Sequence, residues 1–231
     1  MKPFHFKQFS IQQAETVFRV GTDGVLLGAS ATVDKARNIL EVGTGTGLIS
    51  LMLAQRNPNS GILAIDINED AVEIAAGNFG NSPFQNRVKV LLQDYKNFNP
   101  KEKYDLVVSN PPYFEINDSL KDVIARQQSE LLFEHLISNT SELLSSIGLF
   151  SVIIPFESGV FFKEKCLKFR LHVNRQIQIY GIKDSKPKRL ILEFGFEKKD
   201  IVESDFIIEK SARKYTDEYL KLTEEFHQFS K

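Results

Sequence analysis

Asn110, Pro111, Pro112 and Tyr113, with Phe114 behind them, are the residues of this chain best suited to hold a reacting group. They follow an apolar run, Tyr104-Asp105-Leu106-Val107-Val108-Ser109, that reads as a buried strand. Each proline fixes φ and lacks a backbone donor, so the loop is stiff and its carbonyls are left to face a ligand. An amide stands before the bend and an aromatic ring after it. A flat, amino-bearing ring would find acceptors for its N–H groups there, and a π-face to stack on. An ordinary Pro-Pro turn with a surface tyrosine would look the same in isolation.

Gly43-Thr44-Gly45-Thr46-Gly47 is a second chemical element, with Glu41 just ahead of it. A dinucleotide loop reads Gly-x-Gly-x-x-Gly, and its third glycine would fall at Leu48, where there is none. Asp66, about nineteen residues beyond Gly47, can accept both hydroxyls of a ribose. Asp94 ends the next apolar run, within reach of an adenine amino group, and Ile67 and Tyr95 adjoin the two acids. Three acids around one pocket fit a cationic cofactor and suit a pyrophosphate badly, because like charges repel at close range. Glycines serving close packing and acids capping strand ends would be the purely structural explanation. Upstream, Arg19, Gly21, Thr22 and Asp23 precede an apolar helix expected to begin near Val25, with Gly21 and Gly24 flanking a turn able to cap it. A helix start with a carboxylate beside it also makes one wall of a polar pocket.

Such scattered groups need a scaffold that gathers loops at one end of a sheet. Apolar runs at residues 38–42, 62–65, 88–92, 104–109 and 149–154 read as strands. Helical patterns fall between them at 48–56, 69–79 and 131–144, the last ended by Gly148, and another follows at 159–169. Residues 118–126 read as a charged loop or short helix. Residues 171–179 and 189–196 look like a closing hairpin, and 215–229 like a final helix. Alternation of this kind predicts an α/β, Rossmann-like fold: a seven-stranded, mostly parallel sheet with an antiparallel edge strand and helices on both faces. Ligands should bind beyond the carboxyl ends of its strands. We expect one domain over 1–231, with an N-terminal extension at 1–37 covering the cofactor pocket, a core at 38–198, and a C-terminal tail and helix at 199–231.

Composition agrees with a folded globular chain: of 231 residues, 42% are hydrophobic and 26% charged. No apolar run approaches the roughly 18 residues that cross a bilayer, and the first residues lack the apolar centre of a signal peptide. A cytoplasmic protein without membrane association is expected. The single Cys166 rules out an internal disulfide and a multi-cysteine metal site. The four histidines show no ligand spacing, so no metal is expected. Net charge is −1, yet basic residues gather from Lys163 onward and acids between Glu41 and Asp122. That asymmetry permits a basic face for nucleic acid, though solvated helix and strand faces would give a similar distribution.

Glu41-Val42-Gly43-Thr44-Gly45-Thr46-Gly47 resembles the first motif of the class I S-adenosylmethionine-dependent methyltransferases. Asp66, Asp94 and Asn110-Pro111-Pro112-Tyr113 fall at that family's later motif positions. The Asn-Pro-Pro-Tyr form is similar to that of enzymes methylating planar amino groups: adenine N6, cytosine N4, guanine N2 or a glutamine amide. Phe18-Arg19-Val20-Gly21-Thr22-Asp23-Gly24-Val25-Leu26-Leu27-Gly28-Ala29 narrows the resemblance to the tRNA1(Val) adenine-37 N6-methyltransferase family. Phe9-x-Ile11-x-Gln13 and Lys188-Arg189-Leu190-Ile191-Leu192-Glu193-Phe194 support it, over residues 4 to 229. Ser30, where the family has an aromatic, and Glu41, where Asp is commoner, are small departures.

The resemblance implies S-adenosyl-L-methionine held by Arg19, Gly21, Thr22, Asp23, Glu41, Gly43, Gly45, Gly47, Asp66, Ile67, Asp94, Tyr95 and Asn110. It implies catalysis by Asn110, Pro111, Pro112 and Tyr113. A tRNA anticodon loop would meet Tyr113, Phe114, Arg126, Lys188 and Arg189, with the protein acting as a monomer. The Asn110 side-chain oxygen and the Pro111 carbonyl would accept the two N6 hydrogens, and Tyr113 would stack on the base. Other amino-group substrates stay open. Glutamine methyltransferases usually carry an additional N-terminal helical domain, for which only residues 1–37 are available, and guanine N2 enzymes usually carry a duplicated domain or Phe in place of Tyr113. A cofactor-binding scaffold without catalysis is the alternative from another class.

Overall fold

The site is organised by strands buried on both faces, whose successive side chains enter opposite layers. Residues 1–112 and 120–227 are described by the computed structural model, with residues 120–131 described as backbone. A small hairpin of β1 (Phe4–His5) and β2 (Ser10–Ile11) leads into α1 (Thr22–Ser30). There follow β3 (Asn38–Val42), α2 (Leu48–Arg56), β4 (Gly61–Asp66), α3 (Glu69–Gly80), β5 (Val88–Leu92) and β6 (Tyr104–Ser109). Next come α4 (Leu120–Leu143), β7 (Leu144–Pro155), α5 (Gly159–Lys168), β8 (His172–Ile182) and β9 (Pro187–Gly195). The described chain finishes with β10 (Val202–Ser211), β11 (Lys214–Tyr215) and α6 (Asp217–Thr223).

Among the described residues the main sheet has the order β11-β10-β8-β9-β7-β6-β3-β4-β5. Strands β3 to β7 run parallel, and β9 is antiparallel to β7 and β8. Ile39, Leu106 and Val108 enter the layer covered by α1, α2 and α6, whereas Leu40 and Val107 enter the layer covered by α4 and α5. Each such side chain contributes about 1.5–3 kcal/mol by leaving water. Because β3 has β4 on one side and β6 on the other, chain direction diverges at its carboxyl end. The crevice that opens there is where a doubly wound sheet receives its ligand.

Three details hold α1 against this crevice. Gly28 lets α1 approach α2 closely, since a Cβ there would lie 2.7 Å from the Met52 sulfur. Arg56 donates to the Gly28 and Ala31 carbonyls at 3.0 and 2.7 Å, satisfying acceptors at the end of α1. Buried Glu193 on β9 accepts from Thr32 N (2.7 Å), Thr32 Oγ1 (2.8 Å) and Arg175 Nε (2.8 Å).

The α/β class and the parallel centre agree with expectation; the far side of the sheet corrects it. The antiparallel strand β9 lies inside, between β7 and β8, and not at an edge. Its Leu190, Ile191 and Leu192 are almost fully buried, as interior strands require. Residues expected to trail from the core instead extend its sheet as β10 and β11, so among the described residues the main sheet has nine strands where seven were expected. Helix α4 starts at Leu120, ahead of the apolar pattern, and Gly148 lies within β7 instead of ending the helix. Helix α1 starts at Thr22 with Gly21 as its N-cap, so Thr22 and Asp23 form its first turn and do not cap it. The last helix is shorter than expected: Tyr215 pairs in β11, and Phe229 lies outside the described residues.

Candidate active site

The glycine loop joins β3 to α2, and its backbone geometry explains its composition. Gly43, Gly45 and Gly47 have φ of 75°, 54° and 82°, in the left-handed region that glycine adopts without steric cost. At Gly47 a Cβ would also sit 2.4 Å from the Phe79 ring, whereas over Gly43 nothing lies within 4 Å. The turn is therefore tight below and open above.

The loop's donors are largely spent internally. Gly43 N and Thr44 N donate to the Ile65 carbonyl at 2.9 and 3.1 Å, and Gly47 N to the Thr44 carbonyl at 2.9 Å. Gly45 N donates to Asp66 Oδ2 at 2.9 Å. Glu41 Oε2 accepts from Thr44 Oγ1 at 2.7 Å, from Ser50 N at 3.1 Å and from the Ser50 hydroxyl. Glu41 thus already occupies the anion position at the start of α2 that a phosphate would otherwise take. Its other oxygen, Oε1, is buried with no hydrogen-bond partner among the described residues. Burial raises the Glu41 carboxyl to about 7; the Ser50 and Thr44 hydrogen bonds oppose this, and nearby Asp66 adds to it.

A cavity of about 790 Å³ opens above the loop at the carboxyl ends of β3, β4 and β6. Twelve of the thirteen expected cofactor residues line it: Arg19, Gly21, Thr22, Asp23, Glu41, Gly43, Gly45, Asp66, Ile67, Asp94, Tyr95 and Asn110; Gly47 supports the loop without lining the space. Pro111 and Pro112 line it as well. Asp66 Oδ1 accepts from Asn68 N at 3.0 Å, so this carboxylate stiffens two turns as well as facing the cavity. Asp94 caps a short 3-10 turn over Tyr95–Asn97 through Lys96 N at 2.9 Å. The Tyr95 hydroxyl pairs with Thr140 Oγ1 at 2.9 Å, and burial pushes this phenol above its ordinary range. At the end of β6, Ser109 Oγ donates to the Val42 carbonyl at 2.8 Å, which fixes the Asn110 loop beside the glycine loop.

Some expectations change here. Arg189 pairs with Asp23, Nε to Oδ2 at 2.9 Å, joining β9 to the start of α1. Two residues expected to bind different ligands therefore bind each other. Lys188 is exposed beside them. Tyr113 and Phe114 lie outside the described residues, and Arg126 belongs to α4, where side chains before Leu132 are outside them too. Sequence reasoning missed the wall contributed by Leu132, His135 and Leu136 of α4, and nothing in the spacing of α4 marked His135. Within the expected N-terminal extension, residues 16–18 form a strap along the cavity, with Phe18 82% exposed.

The residues present fit a nucleoside carrying a cation. Glu41 offers an unpartnered oxygen, Gly43 leaves room for close approach, and the loop has already used the amides that a pyrophosphate would need. Residues 17–157 match the Methyltransferase small domain family. A tRNA1(Val) (adenine(37)-N6)-methyltransferase from Flavobacteriaceae bacterium (strain 3519-10) is 55% identical over 230 residues, 99% of this chain and 100% of that protein. A protein of the same name from Phocaeicola vulgatus is 47% identical, with 97% of each chain covered. A solved structure titled as a predicted O-methyltransferase, protein Atu636 from Agrobacterium tumefaciens, superposes with a TM-score of 0.71 at 20% identity, over 88% of this chain and 96% of that one. At that identity the likeness speaks for the fold alone. With full-length identity of this order and the family's motifs gathered at one cavity, the chain belongs to the tRNA1(Val) (adenine(37)-N6)-methyltransferase family.

Proposed function

We propose that this protein transfers the methyl group of S-adenosyl-L-methionine to N6 of adenosine 37 in the anticodon loop of tRNA1(Val), acting as a cytoplasmic monomer. The observation that carries the cofactor reading is the unpartnered, buried Glu41 Oε1 beside a glycine loop with four of its five amides already bonded. Such a site attracts a cation and gives a pyrophosphate little to hold. The substrate reading rests on the names of the full-length relatives.

When bound, S-adenosylmethionine supplies an electrophilic methyl group on a sulfonium, so the protein's task is alignment more than strong base catalysis. Glu41, Asp66 and Asp94 would hold the cofactor, with Gly43 and Gly45 allowing it close. Asn110 and the Pro111 carbonyl would accept the two N6 hydrogens of adenine. Those bonds draw the nitrogen toward tetrahedral geometry and free its lone pair. Positive charge developing on nitrogen strengthens both bonds, so they stabilise the transition state more than the ground state. The amine proton then leaves to water. Tyr113 would stack on the extruded base, a contact of about 1–3 kcal/mol, and a loop adenosine costs less to extrude than a paired one.

The test is transfer of labelled methyl from cofactor to purified tRNA and, separately, to a protein extract, followed by nucleoside mass analysis. N6-methyladenosine at position 37 is the expected product. Label in protein glutamine, or in guanosine, would replace this reading with one of the other amino-group substrates.

A further inference from the structure

The basic residues of the last third of the chain divide between the two ends of the sheet. Because β8 and β10 run parallel to β7, their carboxyl ends lie at the same end as the Asn110 loop, and so does the start of antiparallel β9. Lys183, Lys186 and Lys188 therefore rise at the β8–β9 tip, and Lys210, Arg213 and Lys214 at the β10–β11 turn, all exposed. Lys168, Arg170, Lys198 and Lys199 lie at the opposite end, near the start of β8.

Strand register fixes how the first group stands over the catalytic mouth. Ser109, the last residue of β6, pairs with Val152 of β7, while Arg189 of β9 pairs with Pro155. The β8–β9 tip thus begins three residues beyond the end of β6, about 10 Å higher. Laterally, β9 and β10 lie two and four strands from β6, which is about 10 and 19 Å. The six cations form a raised ledge beginning beside the mouth. Lys188 lies across the hairpin, its Nζ 3.8 Å from where a Gly181 Cβ would be.

Asp184, Glu209, Asp217 and Glu218 are the opposing carboxylates on this ledge, with Glu157 beside it after β7. The Lys210–Asp217 pair is 3.6 Å apart and largely solvated, so it neutralises little. Six cations against five acids still leave the ledge positive on a chain of net charge −1. Ile182 and Tyr215, at 39% and 40% exposure, are the large apolar side chains this ledge exposes among the described residues, and they stand apart on its two turns, so the surface suits a polyanion better than a membrane or an apolar protein face.

We propose that this ledge seats the phosphate backbone of the tRNA stem leading into the anticodon loop, and that the basic group at the opposite end of the sheet takes no part. The inference rests on the reading of tRNA as substrate and assigns the surface that grips it. The β10–β11 extension then works as the outer half of an RNA support, and not as an ornament of the fold.

The test uses the full-length protein, transcribed tRNA1(Val), and three double reversals: K183E/K186E, K210E/R213E and, as control, K198E/K199E. Each is first checked for wild-type cofactor affinity, which shows that it folds. Both ledge variants should lose at least tenfold in tRNA affinity at 50 mM salt, and log K against log salt should flatten by up to about two units. KM for tRNA should rise with kcat kept at saturation, and the control should match wild type throughout. Equal losses in the control, or ledge variants with the wild-type slope, overturn the proposal while wild-type methylation of tRNA preserves the functional reading. Wild-type protein that neither binds nor methylates tRNA overturns both.

Discussion

The two sides of the catalytic mouth are built on opposite principles. On the β3–β4 side the charges are carboxylates, tied down by short hydrogen bonds: Glu41 is 1% exposed, and Asp66 braces both the glycine loop and the turn into α3. On the β8–β10 side the charges are lysines and arginines at exposed turns with few fixed partners. A buried, pre-bonded acid selects a small ligand by shape and charge together, and salt screens it little. An exposed basic ledge attracts a large anion over distance, with the salt sensitivity of counterion release. One mouth thus combines a rigid site for a small cation with an adaptable one for a polyanion, and Asn110 stands where they meet.

The largest effect should come at that meeting point. Asn110→Ala should lower kcat for methyl transfer by about 10²–10³-fold, as for loss of one preorganised transition-state hydrogen bond, with a much smaller loss of cofactor affinity, since twelve other residues are expected to hold the cofactor. Wild-type turnover in this variant would remove Asn110 from the mechanism. Next, Gly47→Ala tests the rigid side alone. A φ of 82° and a Cβ 2.4 Å from Phe79 should cost on the order of 3 kcal/mol. Tm should fall by about 6–12 °C, and cofactor binding should suffer before any loss of tRNA affinity; calorimetry and cofactor titration would read both.

A third comparison uses pH. Glu41 has a folded-state value of about 7 against an ordinary 4.5. Below pH 4.5 the carboxyl is protonated folded or unfolded, and there is no penalty. As pH rises toward 7 the unfolded chain ionises first, so stability is lost across that window, by about 3 kcal/mol at its upper end. Denaturant titrations of the cofactor-free protein should show this as a slope that Glu41→Gln abolishes. Saturating S-adenosylmethionine should shrink it, since a cation beside Glu41 favours the ionised form. An identical pH profile in wild type and Glu41→Gln would refute the assignment. The smallest effect belongs to Asp23 and Arg189, which join the two sides. Each side chain is roughly a quarter exposed, so a double-mutant cycle should return a coupling of about 0.5–1 kcal/mol, decreasing with salt.

The rigid side was far more legible in the sequence than the basic one. Strands β3, β5 and β6 and helix α2 fall on the residues expected, because uninterrupted apolar runs and glycine punctuation leave few alternatives. The interior place of β9 was readable too: Leu190, Ile191 and Leu192 form a continuous apolar run, which a half-solvated edge strand would not need. Strand β10 gave a poorer signal, since Phe206 is its one buried large side chain, Val202 is exposed, Ile207 and Ile208 are half-buried, and acids, serines and a lysine make up the rest. The early turns of α4 carry only a short apolar set, Leu120, Val123 and Ile124, which Gln127 and Gln128 interrupt, and they depend on good helix formers such as Leu, Lys, Ala, Arg and Gln. The Asp23–Arg189 pair and the contribution of His135 to the cavity wall arise from tertiary packing, which no local spacing encodes.

The two ends of the described chain are fastened together. Lys7 N donates to the Phe226 carbonyl at 2.8 Å, Phe6 stacks on His227 with ring centroids 5.4 Å apart, and Gln55 of α2 reaches the Glu225 carbonyl at 2.9 Å. The strap across the cofactor mouth begins only a few residues beyond that clasp. During synthesis, then, the amino-terminal segment must wait for α6 and the residues after it before its docking surface is complete. Vectorial folding can build the sheet strand by strand, but the amino-terminal segment docks fully only once Phe226 and His227 have been made. Competence to bind cofactor should therefore be acquired only after these residues are available, so that a shorter nascent chain does not sequester the methyl donor.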